Sequence, residues 1–509
     1  MTMAACSVML TCSAVYAQQT AAPLLHTTVA QGEIEGEEVE GFALYRAIPY
    51  AEAPVGSLRW KAPVPKTHWD GVLKATEWAH RPHQHADDGK VADMDEDCLY
   101  LSIMTPAKST DERLPVFVMI HGGAFQSGSY SGMQTNFVSE GIIYCSIEYR
   151  LGVLGFLAHP ELEKESADGT SGNYGILDQI CALQWIHDNI DRFGGDPDRI
   201  TICGESAGGI SVSILCASPM CKGLFSGAIS ESGGSFCAVA DKATGMSSAP
   251  KRCHAAAQEG LAYQQQLKCK NLKQLRKMSA QTLTEAPVAE MFWPVMDGHA
   301  IADDQYTLYE QGRYNDVNVL IGYNSDEGSL FMHEMTLGGY DSAITAQYGD
   351  WADRVKAVYP AASDEEALWA MQDIFRDNAF GYSTWAWANL QSRTGKGKVY
   401  MYYFDQASQN SLVKNSRGAT HVAEMPFVYD WHWGEMTETE VHMGNIMRQY
   451  WINFIKYGNP NGALLPYWPV YAEGKATVMG MHEGFEVIEA PNQKQMELFE
   501  AYFKSIRQR

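Results

Sequence analysis

The sequence predicts an α/β protein with a mostly parallel central sheet, and two observations support this prediction. Short apolar runs alternate with segments of helical periodicity, which is the pattern of repeated βαβ units. These runs cover residues 116–120, 142–147, 200–203, 317–321 and 399–404. In addition, the run Gly-Glu-Ser-Ala-Gly-Gly at residues 204–209 follows one apolar run and precedes a helix-like segment, as a sharp strand-to-helix turn does.

The length of the chain is compatible with one large domain. Its 509 residues contain no Pro-rich or Ser-rich linker and no internal repeat. They would suffice for three average domains, but α/β enzymes often use such a length for one sheet, its flanking helices and large loop elaborations. A hydrophobic fraction of 46% suits a sizeable buried core. We therefore predict a single domain over residues 18–509.

The N-terminal residues have the features of an export signal. Residues 3–16 form a short apolar stretch that ends in Val15-Tyr16-Ala17, which resembles a signal-peptidase site. No Lys or Arg precedes Arg46, so the usual basic n-region is missing. The stretch is too short to span a bilayer, and no later run of about twenty apolar residues follows. We predict a signal peptide at residues 1–17, a periplasmic or secreted protein, and no stable membrane insertion.

The charge and the histidine spacing exclude two classes of function. The formal net charge is −23 at pH 7, whereas nucleic-acid surfaces need clustered Lys and Arg, so we expect no nucleic-acid partner. His80, His83 and His85 lie close together in the sequence, but they lack the helical spacing of a metalloprotease pair. We therefore predict no metal site and a small neutral substrate.

Ser206 is the candidate nucleophile. In Gly204-x-Ser206-x-Gly208 the glycines allow a sharp turn that holds the serine hydroxyl exposed above the edge of a sheet. The helix that starts here presents unpaired N–H groups, which stabilise negative charge. Because so short a motif also arises by chance, its structural context has to support it.

That context comes from the segment that ends in His121-Gly-Gly-Ala-Phe125. It is an apolar strand followed by a glycine loop of the kind that forms half of an oxyanion hole. A reaction through a tetrahedral oxyanion needs at least two convergent N–H donors, and Gly123, Ala124 and Ala207 are the candidates. On its own such a glycine loop is more often an ordinary tight turn, and the Gly-Glu-Ser-Ala-Gly-Gly run downstream reverses this preference.

A serine nucleophile needs a base and an acid that orients the base. Asp326 and Glu327 both follow the apolar run 317–321, and their chemistry alone does not distinguish them. His421 follows the run 399–404 and comes after the acid, as the order serine, acid, histidine requires, so it is the candidate base. Three other histidines fit this position less well: His333, His432 and His442.

Ten sequence blocks resemble the type B carboxylesterase family, which contains carboxylesterases and cholinesterases, and the chain is most similar to its bacterial-type carboxylesterases. The blocks cover nearly the whole chain in the order typical of the family. They are residues 46–51, 58–60, 96–101, 121–125, 182–186, 193–197, the serine turn 204–209, 293–298, 451–454 and 458–462. The resemblance implies an α/β-hydrolase fold, an esterase without a cofactor, Glu327 as the acid, His421 as the base, and Asp326 as a structural neighbour.

The same resemblance implies further roles. Glu205 and Ser232 are expected to face the site as secondary residues, and Arg59 is expected to pair with Glu96. Cys98 and Cys269 match positions that form disulfides in the family, but their partner cysteines are missing here. The segment 79–95 contains no Trp, whereas cholinesterase-like members carry there an aromatic residue that stacks on choline, so choline esters are disfavoured.

The sequence thus predicts a serine carboxylic-ester hydrolase that acts on neutral small-molecule esters through an acyl-enzyme and a Ser-His-Glu triad. Two alternatives remain at this level. One is a non-catalytic homologue used for binding or adhesion, although such proteins typically lose the nucleophile. The other is an amidase or peptidase, because the same triad and the same tetrahedral chemistry serve amide hydrolysis.

Overall fold

The structure is a computed structural model that describes residues 22–508, without residues 86–92, 130–131, 242–247, 289–290, 409–410, 415 and 432–433. The predicted signal peptide and His432 lie outside the described residues. Within the described part of the chain, no helix combines the length and the apolar character needed to cross a membrane.

The strands are short, and most of them belong to one sheet. They are β1 (His26–Val29), β2 (Gly32–Glu35), β3 (Glu37–Val39), β4 (Phe42–Pro49), β5 (Val72–Lys74), β6 (Arg81–Pro82), β7 (Met94–Asp95), β8 (Tyr100–Thr105), β9 (Leu114–Ile120), β10 (Ile143–Ile147), β11 (Gly195–Glu205), β12 (Gly227–Glu231), β13 (Lys251–Arg252), β14 (Val295–Met296), β15 (Asn318–Asn324), β16 (Val399–Phe404), β17 (Thr477–Met481) and β18 (Phe485–Glu489).

The helices lie between and after these strands. They are α1 (Thr135–Val138), α2 (Gly152–Phe156), α3 (Pro160–Glu165), α4 (Tyr174–Asn189), α5 (Ala207–Ala217), α6 (Cys253–Gln266), α7 (Leu272–Leu275), α8 (Ala280–Thr284), α9 (Gln305–Glu310), α10 (Leu337–Tyr348), α11 (Ala352–Val358), α12 (Asp364–Arg376), α13 (Tyr382–Thr394), α14 (Met425–Tyr429), α15 (Glu438–Tyr457) and α16 (Gln493–Arg507).

The central sheet has eleven strands in the order β18-β17-β16-β15-β12-β11-β9-β10-β8-β4-β3. From β17 to β10 all neighbours are parallel, while the strands on both flanks pair antiparallel. The five predicted apolar runs lie in β9, β10, β11, β15 and β16. The prediction of a mostly parallel α/β sheet is therefore confirmed, and the antiparallel flanks are an addition to it.

Helices cover both faces of the sheet, which explains why its central strands are apolar throughout. In β9, Val116, Val118 and Ile120 belong to one core cluster, whereas Phe117 and Met119 belong to another. Successive side chains of a strand point to opposite faces, so these clusters are the two layers of the core. The buried residues of α4 and α5 belong to the first layer, and those of α15 belong to the second.

This topology brings the predicted functional residues to one edge of the sheet. Gly123 follows β9, Ser206 follows β11, Ser232 follows β12, Glu327 follows β15 and His421 follows β16. Because these strands are neighbours and parallel, their carboxyl ends lie at the same edge. Residues that are up to 300 positions apart in the sequence thereby become neighbours in space.

The structure also contains the predicted ion pair. Arg59 Nε donates to Glu96 Oε1 at 2.6 Å, and the two side chains are only 8% and 13% exposed. The Arg59 guanidinium also donates to the carbonyl oxygens of Arg276 and Met278. Arg59 therefore connects the N-terminal region to two other segments. All nine cysteines of the described chain are free, including Cys98 and Cys269.

We expect Arg59→Met to destabilise the fold by about 3–5 kcal/mol, because it leaves the Glu96 carboxylate buried without its counter-charge. The free energy of unfolding from urea titration measures this loss. Arg393→Met is the matched control, since the Arg393–Glu473 pair is exposed and surface pairs contribute about 1 kcal/mol or less. Equal stabilities of the two variants would contradict a structural role of the buried pair.

Candidate active site

Ser206 lies in a strained turn between β11 and α5. Its backbone angles are φ 57° and ψ −124°, a conformation that non-glycine residues rarely adopt. The Ser206 N–H donates to the carbonyl oxygen of Glu231 at 2.9 Å, which holds the turn against β12. Ser206 is partly exposed, whereas Glu205 and Ala207 on either side of it are buried. The turn therefore presents the serine hydroxyl at the edge of the sheet.

The flanking glycines are required by close packing. A Cβ atom on Gly204 would lie 2.4 Å from the carbonyl carbon of Gly208, and one on Gly208 would lie 2.2 Å from the carbonyl oxygen of Ile120. Neither position has room for a side chain. The N-terminus of α5 can consequently approach the end of β9, where the glycine loop begins.

The glycine loop lies directly against Ser206. A Cβ atom on Gly122 would be 3.2 Å from the Ser206 Cβ atom. Gly123 has a φ of 100°, which glycine adopts readily, whereas Ala124 has a φ of 55°, and such outliers among non-glycine residues cluster at functional sites. The N–H groups of Gly123, Ala124 and Ala207 donate to no other residue in the described part of the chain. They remain free to bind an oxyanion beside the serine.

A buried histidine supports this loop from behind. The His121 ring stacks on Tyr149 at 4.3 Å between ring centroids, and the Tyr149 hydroxyl donates to the His121 carbonyl oxygen at 2.7 Å. His121 Nδ1 lies 2.9 Å from the carbonyl oxygen of Gly122. Burial lowers the pKa of His121 to about 4, so the ring is neutral near pH 7.

Glu327 contacts the predicted base. His421 Nδ1 lies 2.5 Å from Glu327 Oε2. The other carboxylate oxygen, Oε1, accepts from the Ser232 hydroxyl at 2.6 Å and from the Asn324 N–H at 2.7 Å. Glu327 is completely buried, and these donors hold its carboxylate in one orientation. Ser232 thus reaches the site through Glu327.

Asp326 has a different set of contacts. Its Oδ2 atom accepts from the backbone N–H of Arg417 at 2.7 Å, and its own N–H donates to the carbonyl oxygen of Ala419 at 2.8 Å. Both partners belong to the segment that leads to His421. Of the two adjacent carboxylates, Glu327 contacts the His421 ring and Asp326 fixes the backbone that carries it.

The second ring nitrogen of His421 faces the serine turn. His421 Nε2 lies 3.2 Å from Glu205 Oε1, and Glu205 directly precedes Ser206. Phe380 stacks on the imidazole with a centroid distance of 4.8 Å and an angle of 12°, and Phe331 contacts it at 5.1 Å. Phe380 belongs to a π-helical turn, Asp377–Gly381, and such turns often occur at functional sites.

Buried carboxyl groups dominate the electrostatics of the site. Burial, with contributions from Glu424 and Glu327, raises the pKa of Glu205 to about 8. Burial and the charge of Glu327 likewise raise the pKa of Glu424 to about 7. Burial alone lowers the pKa of His421, but the Glu205 and Glu327 carboxylates outweigh it and raise this pKa to about 9. The site therefore favours the charged imidazolium.

Sequence reasoning missed three residues of this site. Asn324 Nδ2 donates to the Thr420 carbonyl oxygen at 2.9 Å and also to the Glu424 carboxylate. Glu424 follows His421 by three positions, and a carboxyl group so close to the candidate base on the same loop could have been predicted from the sequence to lie in the site. Phe380 had no such signal, because its role depends on a π-helical turn of a distant helix.

Comparisons with known proteins identify the family of the chain. The sequence profile described as the carboxylesterase family matches residues 22–499. A fumonisin B1 esterase from Sphingopyxis macrogoltabida is 31% identical over 92% of this chain and 88% of its own length. A para-nitrobenzyl esterase from Bacillus subtilis (strain 168) is 33% identical over 88% of this chain and 92% of its own length. A solved structure of PNB esterase, 29% identical, superimposes with a TM-score of 0.81 and covers 94% of this chain and all of that chain.

We expect Glu327→Gln to lower turnover by about 10³- to 10⁴-fold, because an amide cannot stabilise the imidazolium and can select the wrong tautomer. Asp326→Asn is the matched control, since it makes the same chemical change one residue away. It should mainly lower the melting temperature. Single-turnover kinetics on two folded variants measure the difference, and a larger loss of turnover in Asp326→Asn would reassign the acid.

Proposed function

Because the chain belongs to the carboxylesterase family and is therefore a carboxylic-ester hydrolase, we propose that it hydrolyses neutral esters through an acyl-enzyme on Ser206. In this proposal His421 is the general base and Glu327 is the acid that orients it. The N–H groups of Gly123, Ala124 and Ala207 form the oxyanion hole. Glu205 and Ser232 assist without touching the reacting bond.

The position of the His421 ring is the observation that carries the proposal. Nδ1 is held by the buried Glu327 carboxylate at 2.5 Å, so a neutral ring keeps its proton there and leaves Nε2 free to accept one. Nε2 faces Glu205, the neighbour of Ser206 on the strained turn. A serine nucleophile needs a base beside it, and the position of Nε2 next to the serine turn supports this role for His421.

The first half of the reaction forms the acyl-enzyme. Ser206 Oγ attacks the ester carbonyl carbon, while His421 Nε2 takes the hydroxyl proton. The carbonyl oxygen becomes an anion next to three N–H groups without other partners in the described chain. The C–O bond to the alcohol then breaks, and the imidazolium returns the proton to the leaving alcohol oxygen.

The second half uses the same groups with water as the nucleophile. His421 Nε2 takes a proton from water, the hydroxide oxygen attacks the acyl carbon, and Ser206 leaves with the proton. The carboxylate of Glu205 lies 3.2 Å from Nε2 and stabilises the imidazolium in both halves. Glu327 does so from the other side of the ring.

The charge of the site supports neutral substrates. Glu205, Glu327 and Glu424 are all buried around His421, and in the described part of the chain no Lys or Arg pairs with any of them. An anionic ester would be repelled by this negative potential. The aromatic rings of Phe331 and Phe380 instead offer apolar contact area beside the histidine.

Ser206→Ala should abolish ester hydrolysis and leave the melting temperature nearly unchanged, because it removes the attacking oxygen and keeps the packed glycines. Covalent labelling by an organophosphonate should disappear with it. A comparison of the rates at which the wild-type enzyme hydrolyses aryl esters and matching anilides distinguishes an esterase from an amidase. An active alanine variant, or a label found on another serine, would refute the assignment. A wild-type chain that cleaves no ester and takes no label would indicate a non-catalytic homologue.

The rate constant kcat/KM should fall as the pH is lowered, because an imidazolium cannot accept the serine proton. Since Glu205 and Glu327 raise the pKa of His421 to about 9, we expect the midpoint above the value of 6.5 that is usual for histidine. Glu205→Gln removes one negative charge and should move the midpoint to lower pH. Glu38→Gln, an exposed change, is the control. An unchanged midpoint in Glu205→Gln would contradict the proposed coupling.

A further inference from the structure

Glu231 is a buried carboxyl group that the proposed mechanism does not use. It is the last residue of β12 and is completely buried. Its carbonyl oxygen accepts the Ser206 N–H at 2.9 Å. The next residue, Ser232, donates to Glu327 at 2.6 Å. The end of β12 therefore already contacts both the nucleophile turn and the acid through groups other than the Glu231 side chain.

The side chain of Glu231 points to the segment that carries the base. The Tyr429 hydroxyl lies 3.0 Å from both carboxyl oxygens, and Trp451 Nε1 donates to Oε1 at 2.5 Å. Tyr429 is the last residue of α14, the short helix that starts at Met425 directly after the His421 loop. Trp451 belongs to α15, which packs against α14.

We propose that Glu231 is a positioning residue for this reaction, and that its carboxyl group anchors segment 420–429, and with it His421, to the strand end that already holds Ser206 and Glu327. The inference rests on the proposed function, because it assigns an effect on turnover to the placement of His421. Glu231 itself does not reach the substrate. It acts by fixing the distance between the base and the nucleophile.

The surroundings favour a neutral carboxylic acid at this position. No Lys or Arg pairs with Glu231 in the described part of the chain. Burial first, and then the charge of Glu424, raise its pKa well above the ordinary value. The titratable groups that face it come from four elements or loops around it: Cys203 and Glu205, Tyr402, Glu424, and Tyr429.

A neutral acid fits the two hydrogen-bond partners. Oε1 faces the indole N–H of Trp451, which can only donate, so Oε1 must accept. Oε2 faces the Tyr429 hydroxyl, which can accept as well as donate, so Oε2 can hold the proton. A glutamine has the same pattern, with its carbonyl oxygen toward Trp451 and its NH₂ group toward Tyr429. Leucine has a similar volume but cannot form a hydrogen bond with Trp451 or with Tyr429.

The test compares Glu231→Gln with Glu231→Leu in the full-length enzyme. Because a small displacement of a catalytic group can cost up to about 100-fold in rate, we expect Glu231→Leu to lower kcat by about tenfold or more while KM stays within about twofold. Glu231→Gln should keep kcat within about threefold of wild type. It should also leave unchanged the midpoint of the fall in kcat/KM as the pH is lowered. Amide hydrogen exchange of peptides covering 420–429 should be faster in Glu231→Leu and unchanged in Glu231→Gln.

Two further variants distinguish a specific loss of positioning from a general loss of stability. Tyr429→Phe removes the anchor from the other partner and should lower kcat and increase exchange in 420–429, though less than Glu231→Leu. Tyr450→Phe also removes a buried tyrosine hydroxyl, which donates to the Pro466 carbonyl oxygen at 2.7 Å, but this residue does not touch Glu231. It should lower stability without changing either kcat or the exchange of 420–429.

The outcomes separate the two proposals. If Glu231→Leu changed neither kcat nor the amide hydrogen exchange of 420–429, the proposed anchoring role of Glu231 would be wrong. If kcat fell as far in Glu231→Gln as in Glu231→Leu, the inference that Glu231 is a neutral acid would be wrong. A change in the pH at which the rate of Glu231→Gln falls on acidification would contradict it as well. The wild-type protein could hydrolyse no ester while Glu231→Leu still increased amide hydrogen exchange in 420–429. In that case the proposed function would be wrong, but the anchoring of 420–429 by Glu231 would be supported.

Discussion

The strained backbone at Ser206 is the constraint on which the rest of the site depends. A residue with φ 57° and ψ −124° stays in that conformation only if its surroundings compensate the cost. Here the compensation comes from the close packing of Gly208 against the Ile120 carbonyl and from the hydrogen bond between Ser206 and Glu231. Both contacts require β9, β11 and β12 to be parallel neighbours. The reactive geometry is therefore a consequence of the order of strands in the sheet.

Burial gives the site a second constraint, because it places several carboxyl groups around one imidazole, and no Lys or Arg among the described residues pairs with them. Water would stabilise each carboxylate, but these groups are almost completely removed from it. Their mutual repulsion and desolvation raise the pKa values of Glu205 and Glu424, while the same charges raise that of His421. In the proposed mechanism these charges would stabilise the imidazolium of the transition state before the substrate arrives, and such preorganisation is usually the largest electrostatic contribution that a protein makes.

Much of this arrangement could be read from the sequence, and the reasons are physical. The five apolar runs form central strands because strands covered on both faces need continuous apolar residues, and Ser206 and Gly123 carry the glycines that their turns require. Strand β12 was missed because its short sequence, with Gly227 and Ser230, has no strong β pattern. The choice between Asp326 and Glu327 needed side-chain directions. Phe380 is specified by packing between distant segments, which a single sequence does not display.

The loops that hold the site are fixed by one another more than by their own sequences. The Tyr149 hydroxyl holds the loop after β9, Ser232 N–H donates to Gly322 on β15, and Asp326 N–H donates to Ala419 before His421. Each bond joins the ends of two different strands. A loop held in this way keeps its shape only while its neighbours keep theirs, so a displacement in one segment reaches the others. The anchoring role proposed for Glu231 follows from this coupling, because its side chain joins the end of β12 to the segment that carries His421.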